Sequence, residues 1–434
     1  MPSSGWRLAP AKIIEHLGWT LPDATVEIEE NGFQEGRSGD PQTVLIWLSG
    51  RGGPLCLIIC RQGIVTAARR IDMAAGATAI RGRRWRRAWE AIDERLGISG
   101  LAYPVPAHAN RIGFILGGIT FFGFLILAAT GVYLAQFYHP TPTTARESVV
   151  YIMNVAPLGD LVRGVHFWVS NIVMATVLLH MGRVFVTGSY KRPREANWLI
   201  GLGLLGVTLG LIFTGTILKW DQEGFEALGH NVEMGNLLGA FGFWFSADFA
   251  ASLPILGRLY MAHIVILPAL GTLLLVAHFL LVKRHGMSAL PSQADAAVDG
   301  GPVPVKGGST FTAHLVRMAG FGLLMLAFAT ILSVVWPAGL GDRPIPGTET
   351  TKPPWMFLPF YPFEDWFGLP ALLWAPAVLF GALALVPFVD RSPYRSPTRR
   401  RRFVAIGAII AVAAVLLVIY ALVTVAQPHI QGAM

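Results

Sequence analysis

VHFWVSNIVMATVLLHMGR, residues 165–183, lies inside a long apolar run and carries two histidines, His166 and His180, fourteen positions apart. A helix turns about 100° and rises about 1.5 Å per residue, so this interval brings the second side chain within about 40° of the first, about 21 Å further along. Two imidazoles therefore share one face of one apolar helix, one towards each end. MAHIVILPALGTLLLVAHFLLVKRHG, residues 261–286, repeats the arrangement with His263 and His278, fifteen apart. Two such helices packed antiparallel set His166 level with His263 and His180 level with His278. Each pair can grip one planar metal macrocycle from both sides, as axial imidazoles hold haem iron. A lone histidine in a span is ordinarily a structural hydrogen bonder. Four of them, paired at these intervals, point to ligation, because polar groups in lipid are costly and usually functional. A proton-relay transporter is the rival reading, but a relay has no need of paired spacing.

The rest of the chain suits that setting. Of 434 residues, 53% are hydrophobic and only 14% charged, which excludes an ordinary soluble protein of this size and fits a polytopic membrane protein. A bilayer core needs about 20 apolar residues per helix. Seven segments qualify, at 112–138, 163–187, 198–218, 260–283, 315–336, 369–389 and 403–427. The fold expected is all-α and membrane-spanning, with a dihaem four-helix bundle (107–290) and a three-helix block (311–434). Between them, SQADAAVDGGPVPVKGGS reads as a flexible linker over 291–310. The basic loops RGRRWRR, KRPRE, VKRHG and RSPYRSPTRRRR all fall on one side of a seven-span chain, and the alternate loops are poor in Lys and Arg. That side should be cytoplasmic, with the C-terminal QPHIQGAM opposite. The protein is thus expected in the cell inner membrane, with its N-terminus inside.

The first 80 residues differ in kind. ATVEIEE, TVLIWLS and PLCLIICR read as strands and APAKIIEHLGW as a helix, which makes a small α/β domain on the cytoplasmic side. No secretory leader is visible there. Cys56 and Cys60 form neither a zinc site nor a covalent haem motif and read as buried thiols. Residues 81–106 include RRWRRAWEAIDERLGI, which suits an amphipathic helix in the membrane interface.

Glycines supply a second line of argument. The first span carries Gly117 and Gly131 and the third Gly201 and Gly215, again fourteen apart. Glycine lets helix backbones approach and makes room for bulky groups, although small-residue packing between membrane helices is the ordinary explanation. Arg163 and Arg183 each lie three residues from a histidine and could pair with macrocycle carboxylates. Either could equally be a snorkelling interface arginine.

These stretches together resemble a known family, the cytochrome b subunit of quinol:cytochrome c reductases in its cytochrome b6f-like form. The resemblance covers about 85–434. RLGISGLAYPVPAHANRIGFILGGITF is similar to the start of cytochrome b6. VRGVHFWVSNIVMATVLLHMGRVFVTGSYKRPREANW and TGTILKWDQEGF are similar to its second span and the end of its third, and HFLLVKRHGMSAL to the end of its fourth. The last three spans are similar to subunit IV, here fused to the first four. The resemblance implies two non-covalent b-type haems, a low-potential one at His166 and His263 and a high-potential one at His180 and His278. It implies quinol oxidation near the outer side, with one electron passing to a Rieske iron–sulfur protein and a c-type cytochrome subunit. The other crosses the membrane to reduce quinone near the inner side, with protons released outside and taken up inside. It also implies a homodimeric complex in the bilayer. No nucleic-acid partner is expected.

Two departures matter. Where the family carries Pro-Glu/Asp-Trp-Tyr, this chain reads KPPWMFLPFYPFEDWFG. Pro353 and Trp355 match, while Pro354 stands in place of the acid and Met356 in place of the tyrosine. Pro354 cannot accept a proton, so Glu364, Asp365 or Asp221 is expected to take that part. Exposed loop acids are the plain alternative for the first two. The first-span cysteine that holds an extra haem in b6f complexes is replaced by Ile115, so no covalent c-type haem is expected. Lys283 stands where the family has an arginine near the quinone-reducing site. Two other classes compete: a dihaem b membrane anchor that serves a different redox subunit without bifurcation, and a haem-free transporter.

Overall fold

The computed structural model describes residues 24–28, 43–50, 55–61, 64–71, 90–95, 97–246, 249–250, 252–301 and 308–430. It divides into two compact units, Met1–Leu101 and Ala102–Met434. In the first, β1 (Ala24–Ile28), β2 (Thr43–Gly50), β3 (Leu55–Arg61) and β4 (Ile64–Ile71) form an antiparallel meander in sequence order. Three of these strands are the runs read as strands above. The helix expected at 9–19 lies outside the described residues, and so do the Cys56 and Cys60 side chains. Of the amphipathic stretch, residues 90–95 are helical, while the basic run at 81–87 also lies outside.

Among its described residues, the second unit contains seven helices long and apolar enough to cross a membrane. They are α1 (Ile112–Ala135), α3 (Gly159–Val186), α4 (Glu195–Leu218), α6 (Ile255–His285), α8 (Phe311–Val335), α10 (Ala371–Val389) and α11 (Arg401–Val423). Each matches one expected span. Several start a turn early, as α3 does at Gly159, where Asp160 sits in the first turn against the positive end of the helix dipole. Shorter helices ride on the loops: α2 (Ala145–Asn154), α5 (Gln222–Leu237), α7 (Pro291–Val298) and α9 (Tyr361–Phe367).

Packing joins the spans in pairs. α1 lies along α3, α4 lies along α6, and α8 covers α1 and α3. The core of the first half is Ile115, Val165, Val169, Val173, Met325 and Ala329, all buried. A short antiparallel pairing of β5 (Pro104–Pro106) with β6 (Gly308–Thr310) ties the segment before α1 to the segment before α8. The histidine-bearing helices α3 and α6 make at most slight backbone contact. The expectation of two directly packed helices is therefore replaced by two helix pairs facing one another across a gap.

The fourth span is not a regular helix. Ala262–Ile266 form a π turn in which the Leu267 N–H bonds the Ala262 carbonyl, five residues back. Pro268 accounts for it, since proline has no N–H for the Ile264 carbonyl and its ring crowds that oxygen. A π turn absorbs one extra residue. On a regular helix, fifteen residues would leave His278 about 60° round from His263. With one residue absorbed, the interval acts as fourteen and matches that of α3.

Among the described residues, the basic loops KRPRE, VKRHG and RSPYRSPTRRRR meet at one end of the bundle. Lys191 Nζ lies 2.7 Å from Asp390 Oδ1, Arg400 Nε lies 2.8 Å from Asp390 Oδ2, and the Tyr190 hydroxyl donates to the same carboxylate. Arg194 donates to the His285 carbonyl. The stretch read as a flexible linker also belongs to this end. It holds α7, whose buried Asp295 accepts from the backbone N–H groups of Arg395 and Ser396. Pro at the start of α7 and three alanines within it favour helix where composition suggested coil. Residues 302–307 of that stretch lie outside the described residues. Burial pushes the Asp390 carboxyl up, but hydrogen bonds from Lys191 and Tyr190 and the charge of Arg400 hold it below its ordinary 3.8. Its stabilisation is therefore complete above pH 3.8 and drains away as pH falls through the lower folded value. Asp390→Asn should cost about 3–5 kcal/mol by leaving buried cations uncompensated, read as a lower midpoint of thermal unfolding in detergent at neutral pH.

Candidate functional site

The four histidines converge as two pairs. The ring centres of His166 and His263 lie 6.5 Å apart across the gap, tilted by 59°. Each is held from behind by a threonine on the neighbouring helix. Thr130 Oγ1 donates to the Ile126 carbonyl at 2.8 Å and so accepts from His166 Nδ1 at 2.9 Å. Thr214 Oγ1 donates to the Gly210 carbonyl at 2.7 Å and accepts from His263 Nδ1 at 2.9 Å. With the proton on Nδ1, each Nε2 keeps its lone pair, which is the tautomer a metal needs. The second pair, His180 and His278, has no such threonine. His180 Nδ1 is buried without a hydrogen-bond partner.

The glycines stand against these rings. A Cβ on Gly117 would lie 3.0 Å from His180 Cε1, and one on Gly215 would lie 3.0 Å from His263 Cε1. The corresponding distances are 3.4 Å for Gly131 to His166 and 3.8 Å for Gly201 to His278. All four glycines thus meet all four histidines. What the missing Cβ clears is the imidazole itself, where the sequence suggested room for a macrocycle. The donor set, the facing rings and the gap between the helix pairs fit a planar metal group ligated from both sides.

The other expected residues divide. Arg163 donates to the carbonyls of Ala338 and, at 3.1 Å, Gly339, tying α3 to the loop after α8. Arg183 donates to the Gly113 carbonyl at 3.1 Å and stacks 3.9 Å over the Phe114 ring. Lys283 is exposed. Trp355 donates to Asn171 Oδ1 of α3 at 2.8 Å. Next to it, Met356 packs with Met174 and Leu205, so the Pro353–Met356 loop docks on the bundle through an apolar anchor. Ile115 is a core residue. Asp221 is placed for structure: Oδ1 caps α5 through Gly224 N–H, Oδ2 accepts from Gly341 N–H at 3.0 Å, and Lys219 lies 3.3 Å away. These contacts bind Asp221 into the start of α5 and the loop after α8.

Glu364 and Asp365 are not exposed loop acids. Both sit at the end of the bundle away from the basic loops, in a cluster with His230 of α5, Glu349 and His429. His230 Nε2 lies 3.0 Å from Glu364 Oε1 and 3.3 Å from Glu349 Oε1. His429 Nε2 lies 3.0 Å from Asp365 Oδ1. Burial pulls the His230 imidazole down, but the Glu364 carboxylate, the Glu226 carbonyl and Glu349 more than offset it, raising the value to about 9. His429 is likewise raised against burial by Glu349, Glu364 and Asp365. Burial raises the Glu349 carboxyl, and hydrogen bonds from His429 and Ile430 with the His230 charge reverse that and lower it. Sequence reading missed His230, Glu349 and His429, which carry no spacing signal because they come from three separate loops. It also missed Thr130 and Thr214, whose signal is the repeated Thr-Gly pair at 130–131 and 214–215.

The steric ordering of the glycines can be tested. Gly117→Ala and Gly215→Ala should each displace an imidazole and shift the absorption or midpoint potential of one centre. Gly201→Ala, whose Cβ would sit at an ordinary contact distance of 3.8 Å from His278, should leave both unchanged.

Comparison with known proteins agrees with this architecture. Residues 171–342 match the family model described as cytochrome b(N-terminal)/b6/petB. Cytochrome b6 of Heliobacterium mobile is 39% identical over 207 residues, covering 45% of this chain and 97% of that one. The menaquinol:cytochrome c reductase cytochrome b subunit of Geobacillus thermodenitrificans is 34% identical over 46% of this chain and 96% of that one. The cytochrome bc complex cytochrome b subunit of Chlorobaculum thiosulfatiphilum extends the match to 66% of this chain and 68% of that one, at 33% identity. A chain of a hyperthermophilic respiratory Complex III shares the fold, with a TM-score of 0.64 over 77% of this chain and 91% of that one at 22% identity. This protein belongs to the cytochrome b family, in the branch that includes cytochrome b6.

Proposed function

We propose that the chain is the cytochrome b subunit of a quinol:cytochrome c reductase, holding one b-type haem between His166 and His263 and a second between His180 and His278. The observation that carries the reading is the His166–His263 pair facing across the gap with both Nδ1 protons fixed on threonines. Bound there, b-type haems supply one-electron exchange at two depths of the membrane. The apolar faces of α1, α3, α4 and α6 keep water from the path between them. Arg163 and Arg183 are proposed to steady macrocycle carboxylates, and Lys283 a quinone oxygen at the basic end.

Quinol oxidation is assigned to the end opposite the basic loops, where the Pro353–Met356 loop docks beside α3 and Trp355 is anchored on Asn171. Pro354 leaves that loop without an acid. The acceptor proposed in its place is the Glu364 carboxylate against His230, with Asp365 and His429 beside it. Glu364 is only 2% exposed, so a proton reaches it through the less buried His230. The names of two relatives contain menaquinol, which makes it the substrate to try first. A Rieske protein and a c-type cytochrome are the partners proposed for electron delivery, in a dimeric complex whose basic end faces the cytoplasm. Residues 107–290 are taken as the b6-like part and 311–434 as the subunit IV-like part.

The rival is a dihaem anchor without bifurcation. The purified complex should give two non-covalent b haems per chain in a pyridine haemochrome assay, and alanine at His166 or at His180 should remove one each. With quinol and an outer-site inhibitor, an added oxidant should drive reduction of haem b. Its failure to do so would favour the anchor. Glu364→Gln and Asp365→Asn, singly and together, should slow quinol oxidation by up to about 10²–10⁴-fold, the range for losing a positioned proton acceptor. Unchanged turnover in all three variants removes the assignment.

A further inference from the structure

The cluster at the end opposite the basic loops is also built as a metal site. One donor atom each from His230, Glu364 and His429 lie within 4.8 Å of one another, and Glu349 Oε1 adjoins both imidazoles. The separations are 3.0 Å from His230 to Glu364, 3.3 Å from His230 to Glu349, 3.5 Å from His429 to Glu349 and 4.0 Å from His429 to Glu364. Ligands about 2.0–2.1 Å from a tetrahedral zinc ion lie about 3.3 Å from one another, and these distances bracket that edge. Glu364 Oε1 and His429 Nδ1 are buried yet make no well-directed hydrogen bond.

The far side of two of the ligands, His230 and Glu349, is already held by hydrogen bonds. His230 Nδ1 lies 2.8 Å from the Glu226 carbonyl, which fixes the tautomer that presents Nε2 inward. His429 Nε2 lies 3.0 Å from Asp365 Oδ1, within ion-pair reach but without hydrogen-bond geometry, and a carboxylate at that place can orient a metal-bound imidazole. Glu349 Oε2 accepts the backbone N–H groups of His429 at 2.6 Å and Ile430 at 3.1 Å, leaving Oε1 free to ligate. The loop that carries Glu349 is pinned in turn, because Glu226 accepts from the Thr350 and Thr351 N–H groups.

We infer that His230, Glu349, Glu364 and His429 form a closed four-ligand site for a divalent transition metal of the zinc class. Two carboxylates neutralise the ion's charge, and two imidazoles suit a borderline-soft cation over magnesium or calcium. A site with four protein ligands and no open position is structural in type. It clips the C-terminal tail to α5, to the 345–351 loop and to α9. Binding stands on this geometry alone. Only its consequence for turnover rests on the proton-acceptor reading above, since an ion here withdraws Glu364 from proton transfer.

The test uses the whole purified complex. After dialysis against a chelator and titration with Zn²⁺, metal analysis should find one zinc per chain, counted apart from haem iron. X-ray absorption at the zinc edge should show a four-coordinate nitrogen and oxygen shell. His429→Ala and Glu349→Gln should each lose that zinc to background while keeping the haem spectrum, which shows that the bundle is folded. Asp365→Asn, which touches only the outer side of His429, should weaken binding about 10- to 100-fold. Zinc retained equally by all three variants, or none bound by the native complex, overturns the inference. Neither result bears on whether the native complex oxidises quinol, which is measured separately.

Discussion

The structure turns on one steric exchange: a hydrogen in place of a Cβ on one helix, and an imidazole on its neighbour. At Gly117 and Gly215 the space left by the missing methyl is filled to within 3.0 Å by a histidine ring. That exchange allows α1 to lie along α3 and α4 along α6 while each histidine still reaches into the gap between the two helix pairs. In hydrocarbon an unpaired ring nitrogen is costly, so the rings must be held. Thr130 and Thr214 hold two of them, spending their own hydroxyl protons on helix carbonyls within their own turn. The haem ligation proposed above would use this arrangement, since axial imidazoles hold haem iron from both sides.

Register is the second constraint. Imidazoles at two depths must face their partners at both, so the two histidine helices need the same angular interval. The chain meets this with fourteen residues in α3 and with fifteen plus a π turn in α6. A proline that would look like a defect in a spanning helix provides the correction. Pro268 withdraws one hydrogen bond, and the backbone relaxes into the wider turn directly beside His263.

The two ends of the bundle are chemically unlike. At one, cations dominate and are neutralised inside the fold: Asp390 draws Lys191, Arg400 and Tyr190 together, and Asp295 binds the backbone ahead of α11. At the other, acids and histidines gather instead, and the loops are stitched to one another by Asp221, Gln222 and Glu226. The loss of an acid from the Pro353–Met356 loop is thus accompanied by a concentration of carboxylates one short helix further on. Met356, where the family has a tyrosine, anchors that loop by apolar packing against α3 and α4.

The sequence by itself determined the seven spans and singled out the four histidines and the four glycines, because each is written in local periodicity: apolar run length, a fourteen-residue interval, a matching interval on another helix. That the glycines stand against the imidazoles came from the structure. The sequence also placed the three basic loops that fall among the described residues together. It did not reveal that the histidine helices stand apart, that residues 291–298 are helical, or that Asp221 is bound up in a helix cap. Nor did it bring His230, Glu349 and His429 to Glu364, since their separations in the chain follow no period. Only tertiary structure decided those. Contacts between loops arise from where the helices end in space, and a residue's neighbours there are set by packing of the whole bundle, with no trace in the residues on either side of it.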